Sequence, residues 1–249
     1  MKPSSRMQIL ALSALVAFTA TVRSDESPKD LLERAYKAQG GFDKLAKLKA
    51  TLVKAKGTMY LPVAEITFTS EGAAQLPDKF KSVLKFEVNG MKITNVQMLV
   101  GDKASLIING NPQELPEKMV KEMKEEVYVE YVTSLLPLRD AGFTFTALPE
   151  SKVSGQPALG LKIASKGHRD VELYFDKKTA LVVKAAYKGY DANSDKDVSQ
   201  EQIYTDYKTI DGNTYPVKSV VMQDGKKYME LEVTEYKNLE KLDDSAFKP

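Results

Sequence analysis

Residues 202–247 constrain the chain most, because they read as extended runs joined by tight turns. The clearest part is residues 217–222, then Gln223-Asp224-Gly225-Lys226, then residues 227–236. An Asp-Gly pair between two extended runs supplies the positive φ angles of a two-residue hairpin, so turn chemistry and flanking pattern agree. On the returning run Met229, Leu231 and Val233 fall on one face, while Tyr228, Glu230, Glu232 and Thr234 fall on the other. Such alternation has a period of two and belongs to a strand with one apolar face. A sheet with an oily side needs a cover, which the rest of the chain must supply.

Residues 51–61, 65–71, 79–89, 92–100 and 104–108 repeat the extended pattern. They are rich in Val, Ile, Thr, Phe and Met, and Pro62, Pro77, Asn89-Gly90, Gly101-Asp102 and Asn109-Gly110 separate them. A second group follows at 143–148, 158–164, 170–175 and 181–187, where Val171, Leu173 and Phe175 alternate with Glu172 and Tyr174. Strands this short and close imply antiparallel hairpins, not strand–helix–strand units. Residues 188–199 read as a polar loop. The expected class is therefore α+β, mainly antiparallel β: one bent sheet of about ten strands with helices against it.

Three helical stretches are available as cover. Ser27 can cap and Pro28 can begin a helix that sets Leu31, Leu32, Ala35, Tyr36 and Ala38 on one side, ending at Gly40-Gly41. Residues 42–48 form a second, short one carrying Leu45 and Leu48. The third spans 115–136, with Leu115, Met119, Met123, Val127, Tyr131 and Leu135 at steps of four, between Pro112/Pro116 and Pro137. Its lysines and Glu122, Glu125 and Glu126 fall mostly elsewhere and read as a solvated face.

With 249 residues, 43% hydrophobic and 28% charged, the chain can bury a core large enough for one domain over 25–249. Residues 1–24 read as a secretory signal peptide: Lys2 and Arg6, an apolar run over 7–22, then Val22 and Ser24 placed for cleavage after Ser24. This predicts a periplasmic or secreted protein without a transmembrane span in the mature chain. The net charge of +2 lacks the basic excess that phosphate contacts demand, so nucleic acid is not an expected partner. No cysteine is present, which removes disulfides, thiolate metal sites and lipid-anchored cysteine.

No constellation of catalytic residues stands out. His168 is the sole histidine, between Gly167 and Arg169, and no Gly-x-Ser-x-Gly elbow accompanies it; it reads as a turn residue. Asp191-Ala192-Asn193-Ser194-Asp195-Lys196-Asp197 is spaced like the start of a calcium loop. Lys196 stands where such loops need glycine and Gln202 where they need glutamate, so a solvated hairpin loop accounts for the same residues. Neither a metal nor a cofactor is expected. The methionines are more informative: Met59, Met91, Met98, Met119, Met123, Met222 and Met229 fall on expected strands and on the third helix. Unbranched, polarizable side chains fit ordinary irregular cores and equally a cavity for flexible acyl chains. A sheet of this size has more apolar face than three helices cover, which favours a cavity.

Two segments carry a resemblance: residues 171–184, VELYFDKKTALVVK, and residues 204–216, YTDYKTIDGNTYP, supported by residues 230–236, ELEVTEY, and by Leu242-Asp243-Asp244 and Phe247. They are similar to the outer-membrane lipoprotein carrier and receptor superfamily, the LolA/LolB-like proteins. The resemblance implies an unclosed, strongly bent β-barrel, a half-barrel with helices on its concave face, that binds lipid or acylated protein without catalysis. The lining expected for such a site is Met119, Met123, Val127 and Tyr131 from the third helix with Leu173, Phe175, Leu231 and Val233 from the sheet. Two other readings compete: an interaction module of the cell envelope, partnered by another envelope protein, whose hollow is filled by its own side chains, and an envelope hydrolase using His168.

Overall fold

The computed structural model describes residues 26–192 and 194–249. The leader expected at 1–24 lies outside them. Ser27 caps the first helix, α1 (Pro28–Ala38), by accepting a hydrogen bond from the Asp30 amide, and Gly40 and Gly41 turn the chain out of it at φ 111° and 102°. A single helical turn, α2 (Phe42–Leu45), follows; it is shorter than the expected 42–48.

The chain then lays down a meander of β1 (Ala50–Leu61), β2 (Ala64–Gln75), β3 (Lys79–Val88), β4 (Met91–Val100), β5 (Lys103–Ile108) and β6 (Asn111–Gln113). Helix α3 (Glu117–Thr133) and a 3₁₀ turn (Leu136–Arg139) intervene. A second meander completes the sheet: β7 (Phe143–Ala147), β8 (Ser151–Val153), β9 (Gln156–Ser165), β10 (Val171–Asp176), β11 (Val182–Asp191), β12 (Lys196–Ile210), β13 (Asn213–Gln223) and β14 (Lys226–Leu239). All pairing is antiparallel, in the order β6-β5-β4-β3-β2-β1-β14-β13-β12-β11-β10-β9-β7, with β8 paired to β9.

The 14 strands make a sheet that does not close, since β6 and β7 are its two edges. Along the sequence these edges are consecutive strands, and α3 is the segment that carries the chain from one to the other. The helix therefore crosses the open side of a half-barrel, touching β5 near one edge and β10 and β11 near the other. Register shifts at Lys54/Ala55 between β1 and β14, at Val221/Met222 between β13 and β14, and at Tyr174/Phe175 between β10 and β11 give the sheet its local bends.

Asp224 and Gly225, at φ 47° and 74°, make the hairpin turn expected from the sequence. The polar loop expected at 188–199 is instead mostly strand. Lys188 to Asp191 pair with Ser199 to Lys196, and buried Gly189 and Val198 face each other in that ladder. The polar side chains misled because this end of the hairpin carries little apolar weight outside those two positions.

One half of the concave face is sealed. Leu31 and Tyr36 of α1, Val132 of α3 and Leu135 just past it pack on Leu161, Ile163, Val171, Leu173, Phe175 and Ala185 of β9 to β11. A smaller cluster lies on the opposite, outer face of β1 and β2, where Leu242 and Phe247 of the C-terminal segment rest on Ala50 and Ala73.

Candidate functional site

Between α3 and the remaining half of the sheet lies a hollow of about 670 Å³. Met59 and Leu61 of β1, Ile66 and Phe68 of β2, and Leu84 and Phe86 of β3 form one wall. Leu106 of β5 extends it, and Val221 of β13 with Met229 and Leu231 of β14 continue it on the other side. Met119 and Met123 of α3 form the roof. The register explains the continuity: Met59 pairs with both Ile66 and Met229, Gly57 with both Phe68 and Leu231, and Met229 in turn with Val221, so the apolar positions of four strands share one face. Gly57 is required there. A Cβ at this position would lie 2.1 Å from the Glu230 carbonyl and 2.6 Å from the Phe68 ring, so the missing side chain lets the ring settle onto the sheet.

Polar groups interrupt the lining. Ser70, Ser82, Asn95 and Gln97 sit on the β2–β4 wall, and the Asn95 Oδ1 is buried without a hydrogen-bond partner among the described residues. Tyr190, Asp191, Gln223 and Tyr228 gather beside the β11–β12 and β13–β14 turns, where the tip of the β1–β2 hairpin also lies. From the helix come Glu122 and Glu126.

Helix α3 is held by a cluster from the β9–β10 turn. Arg169 donates from both terminal nitrogens to Glu122, at 2.9 and 2.5 Å, and its backbone amide donates to Glu125 at 2.9 Å. His168 lies flat on Tyr128, with ring centroids 3.9 Å apart, and its Nδ1 is 3.1 Å from Glu125. His168 is thus a turn residue, as its neighbours implied, that also clamps the helix.

Glu126 makes no hydrogen bond or ion pair among the described residues, and neither does the Glu130 side chain. Water reaches both, yet the protein around them strips much of their hydration, and this raises each carboxyl to about 7. Glu122 adds to the effect at Glu126, and Arg169 opposes it. Burial, reinforced by Glu126 and Glu130, pushes up the Tyr187 hydroxyl; Tyr204 and Tyr236 are raised chiefly by burial, with Glu130 contributing.

Of the residues expected to line a ligand space, Met119, Met123 and Leu231 are on the wall of the hollow. Val127 is buried, Tyr131 is half-buried, and Val233 is half-buried opposite Ala55 on the same face of β14 as Leu231. Leu173 and Phe175 are wholly enclosed in the core beneath α1 and α3, away from the hollow. The sequence reading missed Glu122 and Glu125, which it placed on a solvated face; Glu126, from the same face, is exposed as that reading has it. Glu122 and Glu125 are buried against Arg169, and Glu126 turns toward the hollow. A signal existed: glutamates at 122, 126 and 130 repeat at the same four-residue step as the methionines beside them.

No family profile matches the chain, and no curated protein matches it by sequence. Its fold, however, matches solved structures. A LolA superfamily protein from Nitrosomonas europaea is similar at TM-score 0.55 with 13% identity, covering 89% of this chain and 97% of that one. A putative outer membrane lipoprotein-sorting protein domain from Vibrio parahaemolyticus is similar at 0.52 with 11% identity, covering 88% and 94%. A DUF1329 family protein from Desulfovibrio piger is similar at 0.53 with 15% identity, covering 88% and 96%. The half-barrel is thus the fold seen in LolA superfamily structures.

Proposed function

We propose that the chain is an exported, non-enzymatic carrier that holds the acyl chain of a lipid or acylated protein in the hollow between α3 and strands β1–β5 and β13–β14. The observation that carries this reading is the hollow itself. Its volume of about 670 Å³ falls within the roughly 300–1,000 Å³ usual for ligand sites. Its apolar wall offers about 0.8 kcal/mol for each methylene it removes from water, so a single long tail supplies useful affinity. The fold shared with a lipoprotein-sorting domain supports the same class of cargo. Export follows from the leader at 1–24, and no helix among the described residues is long and apolar enough to cross a membrane.

The competing module with a self-filled interior is disfavoured by the same open volume. A hydrolase using His168 is disfavoured by geometry, since that imidazole is stacked on Tyr128 and bonded to Glu125 and is not among the residues lining the hollow. Organic extraction of protein purified without detergent, followed by lipid mass spectrometry, tests the carrier reading. Acylated molecules should be recovered in stoichiometric amounts, or the emptied protein should take up a long-chain monoacylglycerol. An extract free of lipid, together with no uptake, would refute it.

A further inference from the structure

The charges around the hollow are of one sign. Glu122, Glu126 and Asp191 line it, while none of the described lining residues is a lysine, arginine or histidine. The nearest cations are already engaged: Arg169 is bound to Glu122, and Lys118 pairs with Asp195 at 2.9 Å while lying 3.8 Å from the Tyr190 ring centre. Glu126 has no cation bound to it among the described residues, and Arg169 acts on it only through space. Beside Glu126, Tyr228 presents an aromatic ring, and Gln200 and Gln223 present side-chain amides, so the polar end combines acceptors with a π face. The far end, from Phe68 to Leu106, is uncharged, its polar groups being Ser70, Ser82, Asn95 and Gln97.

From this arrangement we propose that the hollow selects amphiphiles by head-group charge, accepting a cationic head beside Glu126 and Tyr228, tolerating an uncharged one, and rejecting an anionic one. The proposal rests on the carrier reading and specifies its ligand class. An ammonium beside the Glu126 carboxylate and the Tyr228 ring gains both Coulomb and cation–π attraction. A carboxylate, sulfate or phosphate head meets like charge with no donor cation to offset it, and such juxtaposition is strongly unfavourable. The Asp191 carboxylate, which accepts from Ser194 at 2.6 Å, adds to the same negative field.

Competition binding at pH 8 with three sixteen-carbon amphiphiles below their micelle concentrations tests this. Permanent charges keep the probes from titrating: hexadecyltrimethylammonium, monopalmitoylglycerol and hexadecyl sulfate. Affinity should fall in that order, with the cation on the order of tenfold or more tighter than the anion. Glu126→Gln should narrow that ratio, chiefly by weakening the cation, and added salt should compress it. Equal affinities, or a preference for the sulfate, would overturn charge selection and leave the carrier reading standing. Failure of all three to bind would overturn both.

Discussion

Arg169 reaches from the β9–β10 turn to Glu122 on α3 and holds its carboxylate by two hydrogen bonds, at 2.9 and 2.5 Å, with both side chains largely buried. This pair ties the helix that crosses the open side of the half-barrel to the sealed half of the sheet. Without it the roof of the hollow would be anchored mainly by its C-terminal half, where Val129 and Val132 enter the core.

Arg169→Ala leaves Glu122 and Glu125 buried without their cation, and breaking a buried pair on one side costs about 3–5 kcal/mol. The loss is read from urea unfolding. Arg169→Met combined with Glu122→Gln should recover part of it, because one of the two stranded carboxylates is then also removed. A cost under about 1 kcal/mol would place the pair among surface salt bridges.

Glu126 and Glu130 give the helix a pH dependence with a definite sign. Both carboxyls are raised to about 7 in the folded chain from an ordinary 4.5. Between those values the folded state binds more protons than the unfolded state, so their contribution to stability is intact below pH 4.5, declines as pH rises, and is lost above 7. The groups facing Glu126 are Glu122, Arg169 and Glu130 from the helix and its clamp, with Tyr187 and Tyr228 from the sheet. Glu126→Gln should therefore melt at a higher temperature than wild type at pH 8, and the difference should vanish near pH 4. A difference independent of pH, or one largest in acid, would contradict this origin.

Much of this was legible in the residues. The hairpins were, because Asn89-Gly90, Asn109-Gly110 and Asp224-Gly225 carry the φ > 0 pairs that two-residue turns demand. The helix at the centre was also legible from its step-four stripe. Its surroundings were not. The spacing of Met119, Met123 and Val127 shows one buried side, whereas α3 is enclosed on two, and the second side is written in Glu122, Glu125, Tyr128 and Val129. Charged residues there look solvated until a distant arginine is brought against them, and 44 residues separate Glu125 from Arg169. Phe175 and Leu173 misled for a related reason: alternation identifies the concave face but does not tell the part roofed by α1 from the part left open.

Gly57 and Gly72 make a paired test of the hollow's floor. Gly57→Ala drives a methyl into the Glu230 carbonyl and the Phe68 ring, and overpacking of this kind costs about 1–3 kcal/mol. Gly72→Ala meets no atom nearer than 3.9 Å and should be neutral or slightly stabilising. Chemical denaturation of both variants checks the contrast, and equal effects would mean that the Phe68 ring does not depend on the bare backbone.

Phe175 and Leu231 separate core from cavity. Phe175→Ala should cost about 3–5 kcal/mol of stability yet leave ligand uptake per folded molecule nearly unchanged, since Phe175 is sealed away from the hollow. Leu231→Glu sets a charge on the hollow's wall and should lower uptake of an uncharged amphiphile about tenfold, equivalent to about 1.4 kcal/mol, with a smaller effect on folding. Unfolding curves paired with binding isotherms decide it; a fall in uptake for Phe175→Ala matching that of Leu231→Glu would dissolve the distinction.

The hollow as a ligand space is tested most directly by methionine methyl resonances. Met59, Met119, Met123 and Met229 line it, whereas Met91 stands 64% exposed at the β3–β4 hairpin and Met222 is absent from the lining. Titrating monopalmitoylglycerol into protein labelled at its methionine methyls should shift those four signals together and saturably while Met91 and Met222 stay in place. Unmoved signals at the four lining positions, or shifts confined to Met91 and Met222, would contradict binding in the hollow.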